Sequence, residues 1–329
     1  MVSNAEVKAS NARITEDTAP RIAVFSGGTD GIGKATLARL VATNVAVKVY
    51  VMGRNGEKHQ PALDMIRRSN KQAKIIWLEG QLSLLAEIKR MCDEIKANET
   101  QIDVLYMSPG FISTGPRVET SEGIGLAQSL TYYGRMSMIT HLLPLLQASS
   151  NSPRIISVLA AGYETSSIYL DDLDLKKPGH HSLIPLSQAG GTYTTLTMSK
   201  LAKENPTVVF IHHAPGGVDT GVFKKAWGNR WYWPLVGSVM STFGTSPETA
   251  AEKILYMMTS AKYGGKGVPL VAGQSPGMTM DRTRQSGSLF LVNDKLKELQ
   301  QEKVMSELKK KDAGDIVWRK TLSTMKPYL

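Results

Sequence analysis

Seven short apolar runs recur along the chain: "RIAVFS", "VAVKVYVM", "KIIWL", "DVLYM", "RIISVLA", "TVVFIHH" and "GVPLV", with amphipathic stretches of helical period between them. The runs are continuous rather than alternating, the pattern of strands covered on both faces. A regular exchange of such strands with helices predicts a doubly wound α/β fold: a largely parallel, Rossmann-type sheet of seven strands, with helices on both faces. The reading places one domain over residues 21–294, preceded by a loosely held polar arm (1–20) and followed by a helical extension (295–329). Two longer insertions interrupt the alternation, Tyr163 to Gly191 and Gly216 to Thr245. Both follow strand ends, where loops of such sheets form sites.

Composition narrows the function classes. The formal charge of +10 lies largely in "KLKELQQEKVMSELKKK", where lysines and acids share a helical spacing, and no nucleic-acid recognition motif accompanies it. No apolar run reaches the roughly 18–20 residues that span a bilayer, so no integral membrane segment is expected. Cys92 is the single cysteine, which excludes an intrachain disulfide and a thiolate metal cluster. With no secretory signature in the first residues, these features point to the cytoplasm. The paired histidines, His180-His181 and His212-His213, have no carboxylates at ligand spacing, so no metal site is expected.

"FSGGTDGIGKATLARL" joins the first strand to a helix and sets Gly27, Gly31 and Gly33 in a G-x-x-x-G-x-G pattern, with Ile32 between the last two. Glycines there permit a tight turn and close backbone approach, and the N–H groups of a helix start face an anion such as a pyrophosphate. The second strand ends in "VYVMGRN". No acid stands at Met52 or Gly53 for a ribose 2′-hydroxyl, whereas Arg54 suits a 2′-phosphate, so NADP(H) is the expected cofactor.

Together with "THLLPLL", the "SK" ending at Lys200 and "APGGVDTG", this glycine turn makes the chain resemble the short-chain dehydrogenase/reductase family from Arg21 to Val271. The closing "DAGDIVWRKTL" looks like divergent members of fungal specialised-metabolite pathways. The resemblance implies that Pro215, Gly216, Val218 and Thr220 line the nicotinamide and that Lys200 holds its ribose. It also exposes departures. The family's proton-transferring Tyr, four residues before the Lys, reads Leu196. Its Ser after the fifth strand reads Ala160, or Leu159 after a one-residue slip, and its Asn in the preceding helix reads Thr131. The segment after the fourth strand reads Met107, Ser108, Pro109, Gly110.

Groups that would touch cofactor are thus kept, and groups that would handle a substrate carbonyl are lost. Tyr193, two helical turns before Lys200 and on its face, is the first substitute proton carrier to weigh; Gly190 and Gly191 place the helix start near Thr192, which makes Tyr193 a first-turn packing residue instead. Tyr163, Tyr132, Tyr133 and, at a strand end, His213 are further residues to weigh. Trp227, Trp231 and Trp233 crowd the lid segment 217–245, which suits a bulky apolar substrate, packing on the body, or a membrane interface. The function expected is an NADP(H)-binding oxidoreductase acting on a hydrophobic specialised metabolite. The alternative is a redox-silent isomerase, dehydratase, cyclase or binding protein that retains the cofactor pocket. The partners expected are the small-molecule substrate and a second copy of the chain in a homodimer.

Overall fold

The computed structural model describes residues 2–221, 244–282 and 287–329. Its centre is an eight-stranded sheet in the order β3-β2-β1-β4-β5-β6-β7-β8. The strands are β1 (Ile22–Ser26), β2 (Lys48–Gly53), β3 (Lys74–Glu79), β4 (Val104–Met107), β5 (Arg154–Val158), β6 (Val209–His213), β7 (Leu289–Val292) and β8 (Glu298–Leu299). All neighbours pair in parallel except β7 and β8. The chain reverses direction across the sheet between β1 and β4, which opens a crevice at their carboxyl ends.

Successive strand residues face opposite sides. On one side Val24, Leu105, Ile155 and Phe210 pack with α4 (Leu85–Asn98), α6 (Gly134–Gln147) and α7 (Leu183–Glu204). On the other, Phe25, Val49, Tyr106 and Ile211 pack with α2 (Gly31–Val41), α3 (Gly56–Arg68) and α8 (Pro247–Thr259). Cys92 is enclosed in α4. Ahead of α6 come a short α5 (Leu126–Gln128) and a π-helical turn (Ser129–Tyr133), and after β8 come α9 (Glu302–Lys310) and α10 (Ala313–Met325). No helix among the described residues is long and apolar enough to cross a membrane.

Four expectations need correction. The seventh strand is "LFLV" (Leu289–Val292), not "GVPLV"; Val268 forms only an isolated bridge with Ser260, while Phe210 and Leu289 are register partners beside the buried β6. An eighth, antiparallel strand follows. The N-terminal segment is no loose arm: α1 (Asn4–Asn11) is held by a Ser3–Glu6 capping box. Its Asn11 side chain donates to Glu252 on α8, and Val7 is buried. Finally, α7 begins at Leu183 and runs through Gly190 and Gly191. Helix–strand proximity outweighs the weak helix propensity of glycine here, because a Cβ on Gly191 would lie 3.2 Å from Ala160. The tryptophan cluster lies outside the described residues.

Candidate functional site at the carboxyl edge of the sheet

The glycine turn leaves β1 with Gly27 at φ +87° and Gly31 at φ +49°. A Cβ on Gly33 would stand 1.9 Å from the Gly27 carbonyl oxygen, and one on Gly27 would stand 2.9 Å from Pro109 N and Ser108 Oγ. The turn is therefore folded against the end of β4, with Ser108 Oγ donating to Gly27 O at 3.2 Å. Asp30 caps α2, its carboxylate accepting from Gly31 N. Ile32 is half-buried, and its carbonyl accepts from Thr36 Oγ1. The arrangement presents the start of a helix at a turn whose Gly27, Gly31 and Gly33 leave no room for side chains, a fit for a phosphate-bearing ligand.

Thr220 covers this turn. A Cβ on Gly31 would meet Thr220 Cβ at 2.9 Å. Val218 bridges to Thr245, Asp219 N donates to Thr245 O, and Thr245 N donates to Gly217 O. Both described ends of the lid segment are thus pinned beside the glycines. Pro215 is half-buried and Gly216, at φ +74°, packs against Asp294.

Arg54 is exposed just after β2. Thr29 of the glycine turn would lie 3.5 Å from a Cβ on Gly53, so Arg54 adjoins that turn. Its backbone is fixed from behind: Glu79 accepts from Asn55 N, Gly56 N and Trp77 Nε1, bonds that hold the Glu79 carboxyl below its ordinary pKa.

Beneath the end of β4 lies Arg135, fully buried. Nη1 donates to Met107 O at 3.1 Å and to Ser157 Oγ at 2.7 Å, and Nη2 donates to Pro109 O at 2.6 Å. Burial pulls its pKa down to about 9, which still leaves it charged at neutral pH. It ties the β4 loop to β5 and sets a positive charge under the crevice.

After β5, Ala160 lies against Gly191, while Thr131 lies against Gly190, whose Cβ position is 3.4 Å from Thr131 Oγ1. Thr131 sits within the π turn, and its hydroxyl donates to Ala127 O at 2.7 Å. Single π turns within helices often occur at functional sites.

A buried chain of side chains supports Ala160. Ala160 N donates to His212 Nε2 at 3.2 Å, which leaves the proton of the neutral ring on Nδ1. Nδ1 then donates to Thr195 Oγ1 at 2.8 Å, and Thr195 donates to Glu164 Oε1 at 2.7 Å. Glu164 Oε2 accepts from Gly162 N at 2.9 Å. Burial raises the Glu164 pKa and, with Arg135 and His213 adding, lowers that of His212 to about 3. One network therefore spans β5, its loop, α7 and β6.

A family model for short chain dehydrogenases matches residues 21–167. An oxidoreductase of Emericella nidulans is 36% identical over 336 residues, covering 99% of this chain and 98% of its own length. The chain belongs to the short-chain dehydrogenase/reductase family. Its relatives include notO of an Aspergillus species, named as an NmrA-like family domain-containing oxidoreductase, 32% identical over 98% of this chain and 94% of its own. Among solved structures, the NADPH dependent reductase YwfH shares the fold with TM-score 0.56 and 17% identity, covering 75% of this chain and 94% of that one. An Agrobacterium tumefaciens 3-oxoacyl (acyl-carrier-protein) reductase with NADP bound does so at TM-score 0.54 and 16% identity, over 74% and 91%.

Within this dehydrogenase/reductase the residues expected at the site part company. Tyr193 and Lys200 do share a face of α7, but it is turned toward the C-terminal helix. Tyr193 is buried edge-on to Tyr132, with ring centroids 5.5 Å apart, and burial raises its phenol pKa. Lys200 pairs with Glu204 at 2.9 Å and is drawn by the charge of Asp315 on α10. Because α7 starts at the carboxyl edge and feeds the amino end of β6, Lys200 stands about 14 Å along the axis beyond Gly191. The sheet edge thus faces Gly191 and Thr195 of this helix, not Leu196 or Lys200. Tyr163 is 66% exposed in the β5 loop. Tyr133 donates to Asp174 at 3.0 Å, and His213 Nδ1 donates to Val292 O at 3.0 Å, both structural bonds.

Two groups escape a reading from spacing alone. The Glu164–Thr195–His212 chain joins residues from three elements. The other is His181, which borders a pocket of about 260 Å³ formed with the β4 loop and α5. A search for metal spacing passes over both. A histidine immediately before a helix that begins at the carboxyl edge was the available signal for His181.

Proposed function

We propose that this oxidoreductase uses NADP(H) and acts on a hydrophobic specialised metabolite, without the family's usual Ser and Tyr. The observation that carries the cofactor part is the interlocked cradle of Gly27, Gly31 and Gly33, closed by Thr220 and adjoining Arg54. In this reading the α2 start holds the pyrophosphate, Arg54 bonds the 2′-phosphate, and Pro215, Gly216, Val218 and Thr220 border the nicotinamide. When bound, the reduced nicotinamide supplies a hydride. Arg135 keeps the β4 loop in place and adds positive potential beneath the anionic ligand. Lys200 has no part in this reading.

The hydrophobic substrate is supported by where apolar side chains remain exposed. Of eight large exposed hydrophobic residues among those described, five (Phe111, Val118, Tyr163, Leu183 and Ile184) lie in the loops and helix start at this edge. The fungal relatives support the specialised-metabolite setting. One observation favours a second reading: Ala160 against Gly191 offers no hydroxyl to a carbonyl oxygen, which suits a redox-silent isomerase, dehydratase or cyclase.

Titrating NADPH and NADH against the wild type and Arg54→Ala tests the cofactor. NADPH should bind the wild type more tightly, and the variant should lose most of that preference; equal wild-type affinities would refute the assignment. NADPH consumption with polycyclic and polyketide carbonyls tests the redox step. Substrate conversion that persists after NADPH is removed would favour the second reading.

A further inference from the structure

The second strand ends at Gly53, beside the glycine turn. Met52 is buried on the α4 side of the sheet, so Gly53 is the last strand residue whose side-chain direction faces that turn. A Cβ there would lie 3.5 Å from Thr29 Cγ2, an ordinary contact, but 2.8 Å from Cη2 of Trp77, well inside the roughly 3.5–4.0 Å at which carbon atoms attract. The backbone of Gly53 is that of a strand, and its φ is not positive. The ring of Trp77, not the chain's own conformation, is what requires glycine at this position.

Trp77 cannot simply swing aside. Its Nε1 donates to Glu79 Oε2 at 2.8 Å, and the same oxygen accepts from Gly56 N at 2.9 Å. The five-membered ring lies against the start of α3, where a Cβ on Gly56 would stand 2.5 Å from Nε1. His59 of α3 flanks the indole, with ring centroids 6.0 Å apart, and the remainder packs on the core beneath α2 and α3. One indole therefore imposes glycine at both ends of the turn that carries Arg54 and Asn55.

An acid at the end of this strand is the group that bonds a ribose 2′-hydroxyl, and its charge repels a 2′-phosphate. We infer that Trp77 determines cofactor choice: by filling the space of a side chain at Gly53 it keeps an acid out, and it leaves Arg54 as the charged group beside the ribose 2′ position. The inference rests on the NADP(H) reading above and names the residue that enforces it. Trp77 sets specificity without having to touch the nucleotide.

Affinities for NADPH and NADH are measured by titration calorimetry on the full chain for the wild type, Gly53→Asp, Trp77→Val and the double variant. Trp77→Val alone should keep the wild-type preference, since Gly53 still carries no acid. Gly53→Asp alone should bind both nucleotides about tenfold more weakly, because the crowded ring disturbs the turn that carries Arg54. The double variant seats the acid and should favour NADH, its ratio of NADPH to NADH affinity moved from the wild-type value by about a hundredfold. An inversion as large in Gly53→Asp alone, or a double variant that binds nucleotide and still prefers NADPH, would overturn the role of Trp77. Should Gly53→Asp fail to fold, Gly53→Ala adds the Cβ alone, and it must lower the melting temperature more in the wild type than in Trp77→Val; an equal loss in both backgrounds would overturn the exclusion. Equal wild-type affinities for the two nucleotides would refute the NADP(H) reading, whereas an NADH preference gained only in the double variant would still support exclusion of an acid by Trp77.

Discussion

Replacing Thr195 by Val removes one hydroxyl and little volume, yet that hydroxyl is the middle of the chain beside Ala160. It accepts from His212 Nδ1 at 2.8 Å and donates to Glu164 Oε1 at 2.7 Å. Both partners are fully enclosed, with side-chain exposures of 0%. Neither can turn to solvent. Each stranded buried group costs about 1–3 kcal/mol, so the variant should lose about 2–5 kcal/mol, the loss at Glu164 being moderated by Gln301. For 329 residues, at about 2.1 cal/mol/K per residue, the unfolding entropy at the midpoint is about 0.7 kcal/mol/K. The melting temperature should then fall by about 3–7 °C. Thr195→Ser keeps the hydroxyl and drops one methyl, a loss of about 1 kcal/mol, or 1–2 °C. Differential scanning calorimetry of the three proteins gives the comparison. A Thr195→Val midpoint within about 1 °C of wild type, or a Ser variant as unstable as the Val variant, would refute the directed chain from Ala160 to Glu164.

Lys200→Ala should leave NADPH affinity within about twofold of wild type and stability within about 1 kcal/mol, since a partly exposed ion pair to Glu204 and a weaker attraction to Asp315 are lost; a large loss of NADPH binding would return Lys200 to the cofactor site. Gly33→Ala should abolish nucleotide binding or folding, because its Cβ would stand 1.9 Å from Gly27 O; calorimetric binding close to wild type would contradict the cradle. Stability should be lower at pH 5 than at pH 7, as measured by urea unfolding. His212 and His213 are lowered by burial to about 3 and about 4 from 6.5, so the unfolded chain binds more protons across that interval and stability falls with pH there. Glu164, raised from 4.5, has the opposite sign, its contribution being lost as pH rises, but His141 and His181, also lowered by burial, add to the two histidines.

The fold was legible because burial on both sheet faces writes continuous apolar runs, and the glycine turn because its backbone admits no side chain. "GVPLV" misled because a short apolar run does not say whether a neighbour awaits it; "LFLV" pairs with β6 and Val268 does not. The capping box of α1 was readable as S-x-x-E before an apolar position, but what Asn11 would meet on α8, 241 residues away, was not. At the site, the spacing of Tyr193 and Lys200 correctly implied one helical face. It could not say where that face points. The direction is set by Tyr132 and α10, contacts across long sequence separations. The paired Gly190 and Gly191 looked like a helix start and are instead the place where a helix approaches a strand end.

Tyr132 joins the π turn to the C-terminal helix. Its hydroxyl lies 2.6 Å from both Thr197 and Thr321, and Thr321 spends its own hydrogen on Val317 O. Tyr132 must therefore donate to Thr321 and receive from Thr197. The two bonded residues are 189 positions apart. At about 5–20 residues per second, synthesis separates their appearance by roughly ten to forty seconds. Throughout that interval the turn carrying Thr131 lacks one of its bonding partners, although the glycines of the first turn have already been made. A nascent chain would thus carry the glycine turn well before the helix that buttresses the π turn exists. A ribosome stalled before residue 321 would carry a chain in which Tyr132 still lacks Thr321 as its acceptor.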